Sequence, residues 1–581
     1  MSSETIVART LLHSTYVADT GDGGDAIVVS EIIENDKGEV KPNLKVYRNP
    51  TISFWVTQKP YRTHTDKKEF ESLQFLDEYK VPYKDRDREI FSVFNGYKPK
   101  FLSYQQKREL QTNPYLYGGN ISIEAMVGLK YKKDLVKNNK ISHSPTTGFF
   151  DIEKSLLPSS IGKLPLMTFT AENKVYLAIK KSFMYEERKG QFIPVSVEDI
   201  KNGIDEYITP LINSIFENED GLKDLKHKLP FSYELFVGET EIEMIRWIFG
   251  KMHESKVSFI GIWNLGFDIS EILRILEEEN IPPEEIFVDP SLVGTGYSYF
   301  NYKPDNRKKV AHWSLKWNWV TSSAHFQFVD SLALFSYIRI VDGKEASYAL
   351  DDVLKKYGLG GKLKLVETEA EESTADWHRE MLSKHFMFYS LYAMWDAISL
   401  QLLEWRNNDL TSMLLTVDAT PVKFFPNQTI KATTTLFEDW LPKGYVLGTG
   451  VDMEGLADDD LLSEGGGVLD PQNLIAKGVA LFEEWPSHHT QCYFWVSDLD
   501  FKAQYPTNMI GLNISKQTKI ATMINIKGSW VQKLYTPSRA VEVACSYIVT
   551  PAASGYDLGH EFFNLPSYLE MDELFKNRNA A

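Results

Sequence analysis

Phe149-Phe150-Asp151-Ile152-Glu153 is the stretch on which the reading of this chain turns. Two aromatics lead into an Asp-x-Glu pair, and Leu156-Leu157-Pro158 follow. Alternate side chains of a strand share a face, so Asp151 and Glu153 are expected to point the same way. Two carboxylates side by side on a buried strand repel each other unless a cation sits between them. Hard oxygen donors of this kind suit Mg²⁺ or Mn²⁺. An isolated Asp-x-Glu is more often a surface strand with two solvated acids. The outcome depends on the partners that the rest of the chain supplies.

Outward from that strand, residues 149 onward alternate strand and helix patterns, the signature of an α/β layer. Lys174–Ile179 reads as a strand. Residues 239–252 carry Ile242, Ile245, Ile248 and Phe249 at helical spacing. Val257–Trp263 reads as a buried strand that runs into Asn264-Leu265-Gly266-Phe267-Asp268, and residues 269–278 as an amphipathic helix. Asp268 is thereby expected at a strand–helix junction, where open α/β sheets place their chemistry. Phe326–Ser331 reads as another strand ending in an acid, Asp330, and residues 347–358 as a helix stopped by Gly358. Tyr392 and Asp396 lie four apart in a long helical stretch and so share a helix face. A tyrosine hydroxyl beside a metal-binding Asp can orient an attacking water.

The acids thus form an ordered set: Asp151 and Glu153, Asp268, then Tyr392 with Asp396. Four carboxylates can hold two divalent ions about 3.5–4 Å apart for in-line displacement at phosphorus. Each element alone is a weak signal. Together, in this order, they are a strong one.

Other stretches are less decisive. Residues 1–145 read as a mixed domain of short strands and turns, with strands at 26–33 and 44–47 and a turn at Asp36-Lys37-Gly38. Gly21-Asp22-Gly23-Gly24-Asp25 lacks the Gly-Lys-Ser/Thr ending of a phosphate loop and reads as a turn. Lys132, Lys133, Lys137 and Lys140 form a basic cluster, more often a solvated face than a phosphate contact. Residues 295–328 gather Tyr297, Tyr299, Tyr302, Trp313, Trp317 and Trp319 around Arg307-Lys308-Lys309. That mixture suits base stacking and phosphate contact, and suits an aromatic β-hairpin equally well.

With 581 residues the chain is too long for one core, and two to four domains are expected. The 13% aromatic content argues against extended disorder, and the net charge of −17 against indiscriminate coating of nucleic acid. Two cysteines, Cys492 and Cys545, are too few for a four-cysteine zinc site and point to a reducing compartment. Met1-Ser2-Ser3-Glu4 lacks the basic and apolar regions of a signal peptide, and no apolar run reaches the about 18 residues a membrane span needs. A cytoplasmic protein without a membrane partner is the expectation.

The acidic set resembles the three exonuclease motifs of the DnaQ-like, ribonuclease H-like proofreading nucleases. Phe150-Asp151-Ile152-Glu153 resembles the first motif, Asn264–Asp268 the second, and Tyr392-x-x-x-Asp396 the third, with the Tyr-to-Asp spacing of family-B DNA polymerases. Ser347-Tyr348-Ala349-Leu350-Asp351 and Gly361-Lys362-Leu363-Lys364 resemble the segment before the third motif in tailed-phage members. Trp495–Thr507 is similar to polymerase motif A, with Asp500 at the metal-ligand position and Tyr505 at the sugar-packing position. Asn513-Ile514-Ser515 and Gly466-Gly467-Val468 are similar to blocks that flank it. Ala503 and Gln504 depart from the motif, and neither the Lys-x-x-x-Asn-Ser-x-Tyr-Gly fingers helix nor the Asp-Thr-Asp palm turn is found.

The resemblance implies an α/β multidomain chain with four parts. These are a mixed N-terminal domain (1–145), a ribonuclease H-like 3′→5′ exonuclease (146–405), a connecting segment returning toward the N-terminal domain (406–485), and a partial palm (486–581). It implies that Asp151, Glu153, Asp268 and Asp396 bind two Mg²⁺ or Mn²⁺ ions and that Tyr392 orients the water. Asn264 and Phe267 would position the terminal nucleotide of single-stranded or frayed DNA, and Asp500 and Tyr505 would bind metal and dNTP only in a completed palm. The leading expectation is half of a split replicative polymerase, completed by a second polypeptide with fingers, the remaining palm and thumb. A sliding clamp would be a further partner, and the setting the cytoplasm of a bacterial host of a virus. A stand-alone exonuclease with a vestigial palm is the alternative. A non-catalytic nucleic-acid-binding assembly subunit is disfavoured, because clustered acids are costly without metal.

Overall fold

The structure is a computed structural model. It describes residues 5–449, apart from 65–67, 69, 306–313, 315, 340–344, 364–373 and 418–420, together with 522–526 and 545–549. Its described residues are mixed α/β. Met1–Asp452 is one compact unit and Met453–Ala581 another. Motif A with Asp500 and Tyr505, Gly466–Val468, Asn513–Ser515, Arg307–Lys309, Trp313, Lys364 and Cys492 all lie outside the described residues.

The first unit opens with an antiparallel meander, β1 (Ile6–Val17), β2 (Ala26–Asn35) and β3 (Val40–Arg48). At 12, 10 and 9 residues these strands are not the short ones expected from the turn-rich sequence. The reason is burial on both sides of β2. Ile27 and Val29 pack with Ile123 and Tyr131 of the helix α3 (Ile123–Lys137), while Val28 packs against Val17, Val288 and Leu292. A second small sheet joins β4 (Thr51–Thr57), β6 (Leu76–Pro82) and β7 (Leu116–Tyr117), and β5 (Phe70–Ser72) pairs elsewhere. The helices α1 (Arg86–Asn95) and α2 (Tyr104–Thr112) complete this region with α3. In the lysine cluster, Lys132 pairs with Glu438 and Lys140 with Glu34, each at 2.7 Å, while Lys133 and Lys137 are exposed.

The central part of the unit positions the site. It begins with β8 (Thr147–Glu153), β9 (Leu166–Ala171), β10 (Lys174–Lys180), the hairpin β11 (Tyr185–Arg188) and β12 (Gln191–Pro194), α4 (Val197–Gly203), α5 (Thr209–Asn218), α6 (Asp220–Lys223) and β13 (Ser232–Gly238). Then come α7 (Glu241–Ser255), β14 (Phe259–Ile262), α8 (Leu265–Glu278), α9 (Glu284–Phe287), the hairpin β15 (Phe300–Lys303) and β16 (Trp319–Ser322), β17 (Gln327–Asp330) and α10 (Ser331–Arg339). The unit continues through α11 (Leu350–Lys356), α12 (Thr374–Lys384), α13 (Phe386–Asn407), α14 (Asp409–Val417), α15 (Gln428–Trp440) and β18 (Tyr445–Leu447), which pairs with β5. In the second unit, β19 (Thr522–Ile526) pairs antiparallel with β20 (Cys545–Val549).

Six strands form one mixed sheet in the order β13-β10-β9-β8-β14-β17. Only β9 runs against the rest, pairing antiparallel with β8 and β10. The period of two along β8 assigns its side chains to two cores. Phe150 and Ile152 join the cluster that includes Ile245 and Ile248 of α7 and Ile269 and Ile272 of α8. Phe149 joins the opposite cluster, with Leu391, Tyr392 and Trp395 of α13. Asp151 and Glu153 share that face. At Gly261 a Cβ would lie 2.4 Å from the Phe149 ring, so a glycine lets β14 sit this close to β8.

Two expected boundaries move. The helix expected over 269–278 begins at Leu265, so Asp268 sits in its first turn and not ahead of it. Asn264 takes the position before the helix, where its carbonyl accepts from the amides of Phe267 and Asp268, and Leu265 is buried. The helix expected over 347–358 covers only Leu350–Lys356, because the Ser347 hydroxyl accepts from the Ala349 amide in a local turn and Gly358 stops the helix at φ 71°.

Candidate metal centre

The sheet and α13 bring Asp151, Glu153 and Asp396 together. One oxygen from each lies within 4.8 Å of the others. Asp151 and Glu153 come from the α13-facing side of β8. Asp396 projects toward them from a helix whose residues 389–405 are all buried. Asp151 keeps partial exposure, while Glu153 and Asp396 are 7% and 4% exposed. These three acids could hold a metal ion.

Asp268, 2% exposed in the first turn of α8, stands outside that close group but within its electrostatic reach. Burial raises the Asp151 carboxyl well above its usual range, and Asp268, Asp396 and Glu153 add to the rise. Asp268 is likewise held well above the usual range by burial and then by Glu153. Glu153 is pushed up to about 7, chiefly by burial and next by Asp396, with a hydrogen bond from Tyr389 working the other way. Burial also raises Asp396, against the attraction of Lys362.

A lysine to which the motifs assign no role enters this cluster. Lys362 Nζ donates to Asp396 Oδ2 at 2.6 Å and to the Tyr392 hydroxyl at 2.5 Å. Burial alone would lower its ammonium, but Asp396, Glu153 and Asp151 outweigh that and hold it above the usual value. The side chain reaches the site because the chain turns through Gly360 and Gly361 at φ 81° and 94°, a region closed to most side chains. Trp395 Nε1 then donates to the Gly361 carbonyl at 2.8 Å, and the Lys362 amide to Asp351 Oδ1 at 2.7 Å.

Two further residues are absent from the sequence motifs. The Tyr389 hydroxyl donates to Glu153 Oε2 at 2.7 Å, and His378 Nδ1 lies 2.9 Å from that hydroxyl. Tyr389 is legible in sequence as a helical neighbour of Tyr392, and their rings stack at 5.9 Å with 7° between planes. Nothing local to His378 announces it, because α12 is brought in only by tertiary packing.

The remaining candidates lie around this cluster. Phe267 is 40% exposed beside Asp268, with Lys154 Nζ 5.6 Å from its ring centre. Asn264 is exposed at the start of α8. Asp330 is a different kind of acid. Its Oδ2 accepts from the Asn318 amide and side chain, and its Oδ1 from the Ala333 amide, so it caps α10. Trp317 and Trp319 stack on each other at 5.1 Å, and Trp317 is buried, which favours the hairpin reading of that aromatic stretch.

The donor set fits a hard divalent cation. All four acids offer oxygens, and two of those, Asp268 Oδ2 and Asp396 Oδ1, are buried without a hydrogen-bond partner. No protein-family model matches the chain, and no curated protein matches it. Among the described residues no helix is long and apolar enough to cross a membrane.

Proposed function

We propose that this chain is a 3′→5′ DNA exonuclease with a ribonuclease H-like core, hydrolysing the terminal phosphodiester with two Mg²⁺ or Mn²⁺ ions. The observation that carries the proposal is the convergence of Asp151, Glu153 and Asp396 within 4.8 Å, with a buried oxygen of Asp396 short of a donor. Asp151, Glu153 and Asp396 would hold one ion, and Asp268 would help hold the second. Bound there, divalent ions would activate water and neutralise the leaving oxygen. Water attacks phosphorus, the bond to the 3′ oxygen breaks, and a 5′-mononucleotide leaves.

The chain's own groups place the reactants. Phe267, exposed beside Asp268, offers a face on which the terminal base stacks. Asn264 supplies an exposed amide at the same helix start. Lys362 donates to the Tyr392 oxygen and so fixes the phenol beside Asp396, where its hydroxyl orients the water. The ammonium also offsets part of the charge of the acids while no other cation is near.

The test is a 5′-labelled single-stranded oligonucleotide incubated with the purified chain, with and without Mg²⁺. The expected result is stepwise shortening that needs Mg²⁺ and is lost in Asp151→Ala/Glu153→Ala. Shortening that survives the double change overturns the assignment. The spacing of Asp500 and Tyr505 supports a further part of the proposal, that a second polypeptide completes a polymerase palm. Primer extension by this chain alone, given dNTPs, would overturn that part.

A further inference from the structure

We propose that His378 and Tyr389 are positioning residues, which set the Glu153 carboxylate in the orientation that binds the divalent ion; this rests on the metal centre proposed for Asp151, Glu153 and Asp396. The Tyr389 hydroxyl has one proton and donates it to Glu153 Oε2 at 2.7 Å. His378 Nδ1 lies 2.9 Å from that same hydroxyl oxygen. With the phenol proton committed to the carboxylate, the imidazole has to be the donor, so Nδ1 carries hydrogen. The result is a directed chain, His378 Nδ1–H to Tyr389 O–H to Glu153 Oε2.

The chain is held from several sides. On α12, Arg379 Nε donates to the Leu156 carbonyl at 3.0 Å, which ties the helix to the segment just past Glu153. Trp377 meets the Tyr392 ring edge-on at 4.9 Å and the Tyr389 ring at 6.3 Å. Tyr389 itself is fully buried. With Oε2 engaged, the carboxylate plane is fixed and Oε1 is left for the cation. Partners of metal ligands act in this way elsewhere, and their loss typically costs about 10- to 100-fold in metal affinity.

The experiment measures Mn²⁺ binding to the full chain by electron paramagnetic resonance, without DNA and therefore without turnover. Tyr389→Phe keeps shape and burial but removes the proton, and it is expected to weaken Mn²⁺ binding about 10-fold. His378→Ala should weaken it in the same direction. His378→Asn, whose amide N–H can stand where the Nδ1–H stood, should recover most of the loss. Wild-type affinity in folded Tyr389→Phe would overturn the inference, and so would an Asn variant no better than Ala. Absence of Mn²⁺ binding by the wild-type chain would remove the metal centre itself and this inference with it. Binding by the wild type that the variants leave unchanged would remove this inference alone.

Discussion

Two groups of buried carboxylates in the first unit are treated in opposite ways. Glu31, with no exposed surface, accepts from Arg9, from Asn43 Nδ2 at 2.6 Å and from the Tyr131 hydroxyl at 2.7 Å. Asp330 caps α10, and Glu404 accepts from the Leu410 amide just past the end of α13. Each of these acids has donors supplied by the fold. Around β8 and α13 the acids face one another, Lys362 brings a cation among them, and two oxygens have no partner. An acid buried for architecture is surrounded by donors. The acids around β8 and α13 keep oxygens without donors and could hold a cation instead.

The comparison breaks most visibly on activity. Asp151→Ala/Glu153→Ala should lower Mg²⁺-dependent shortening by ~1000-fold or more, as expected for residues that act as one unit. The same change should leave the melting temperature in metal-free buffer unchanged or higher, because it relieves repulsion. A clear fall in melting temperature would mean that these acids are structural after all.

Glu31→Ala should do the reverse. It strands Arg9 and two further donors, and should cost about 3 kcal/mol of stability in denaturant titration while the folded fraction keeps the proposed activity. A stable Glu31→Ala variant would erase the contrast.

The pH response sharpens the comparison. Glu153 is raised from 4.5 to about 7 on folding, so its protonated form favours the folded chain. That contribution is fully present below pH 4.5 and is lost as pH rises through about 7. In metal-free buffer, Glu153 should therefore contribute a decline in stability on the order of 3 kcal/mol between pH 5 and pH 8, to which the raised Asp151 and Asp268 carboxyls add. Glu153→Gln should make that decline shallower by the share of Glu153. An equally steep decline in the Gln variant would place its origin elsewhere.

Divalent metal should then act on one group only. Mg²⁺ or Mn²⁺ at 100 times its dissociation constant should stabilise the wild type by about 2.7 kcal/mol and Asp151→Ala/Glu153→Ala not at all. The smallest expected effect is at the rim. Phe267→Ala removes an exposed stacking face and should lower kcat/KM on single-stranded DNA about 10-fold, leaving Mn²⁺ affinity unchanged. An equal loss of metal affinity would show that Phe267 shapes the acid cluster and not the base contact.

Much of the site is legible in the sequence because its signals are local. The Asp-x-Glu of β8 obeys a period of two, and Tyr392 with Asp396 a period near four, so each pair declares a shared face without knowledge of the fold. Asp268 is placed less well. Its helix begins four residues earlier than the apolar spacing indicates, since Asn264 and the buried Leu265 decide where the first turn forms. Strand length in the meander is also misjudged from sequence, because β2 is extended by burial against two different neighbours, a property of packing and not of its own residues.

By itself, then, the sequence determined which residue types stand on which face of β8 and α13. Those follow from backbone periods that every chain obeys. Only the tertiary structure decided that Asp396 meets Asp151 and Glu153, that Lys362 swings in through Gly360 and Gly361, and that His378 reaches Tyr389 from α12. Those meetings join positions as far apart as 151 and 396. The energy that enforces them comes from the apolar clusters on the two faces of the sheet, which no short window of sequence contains.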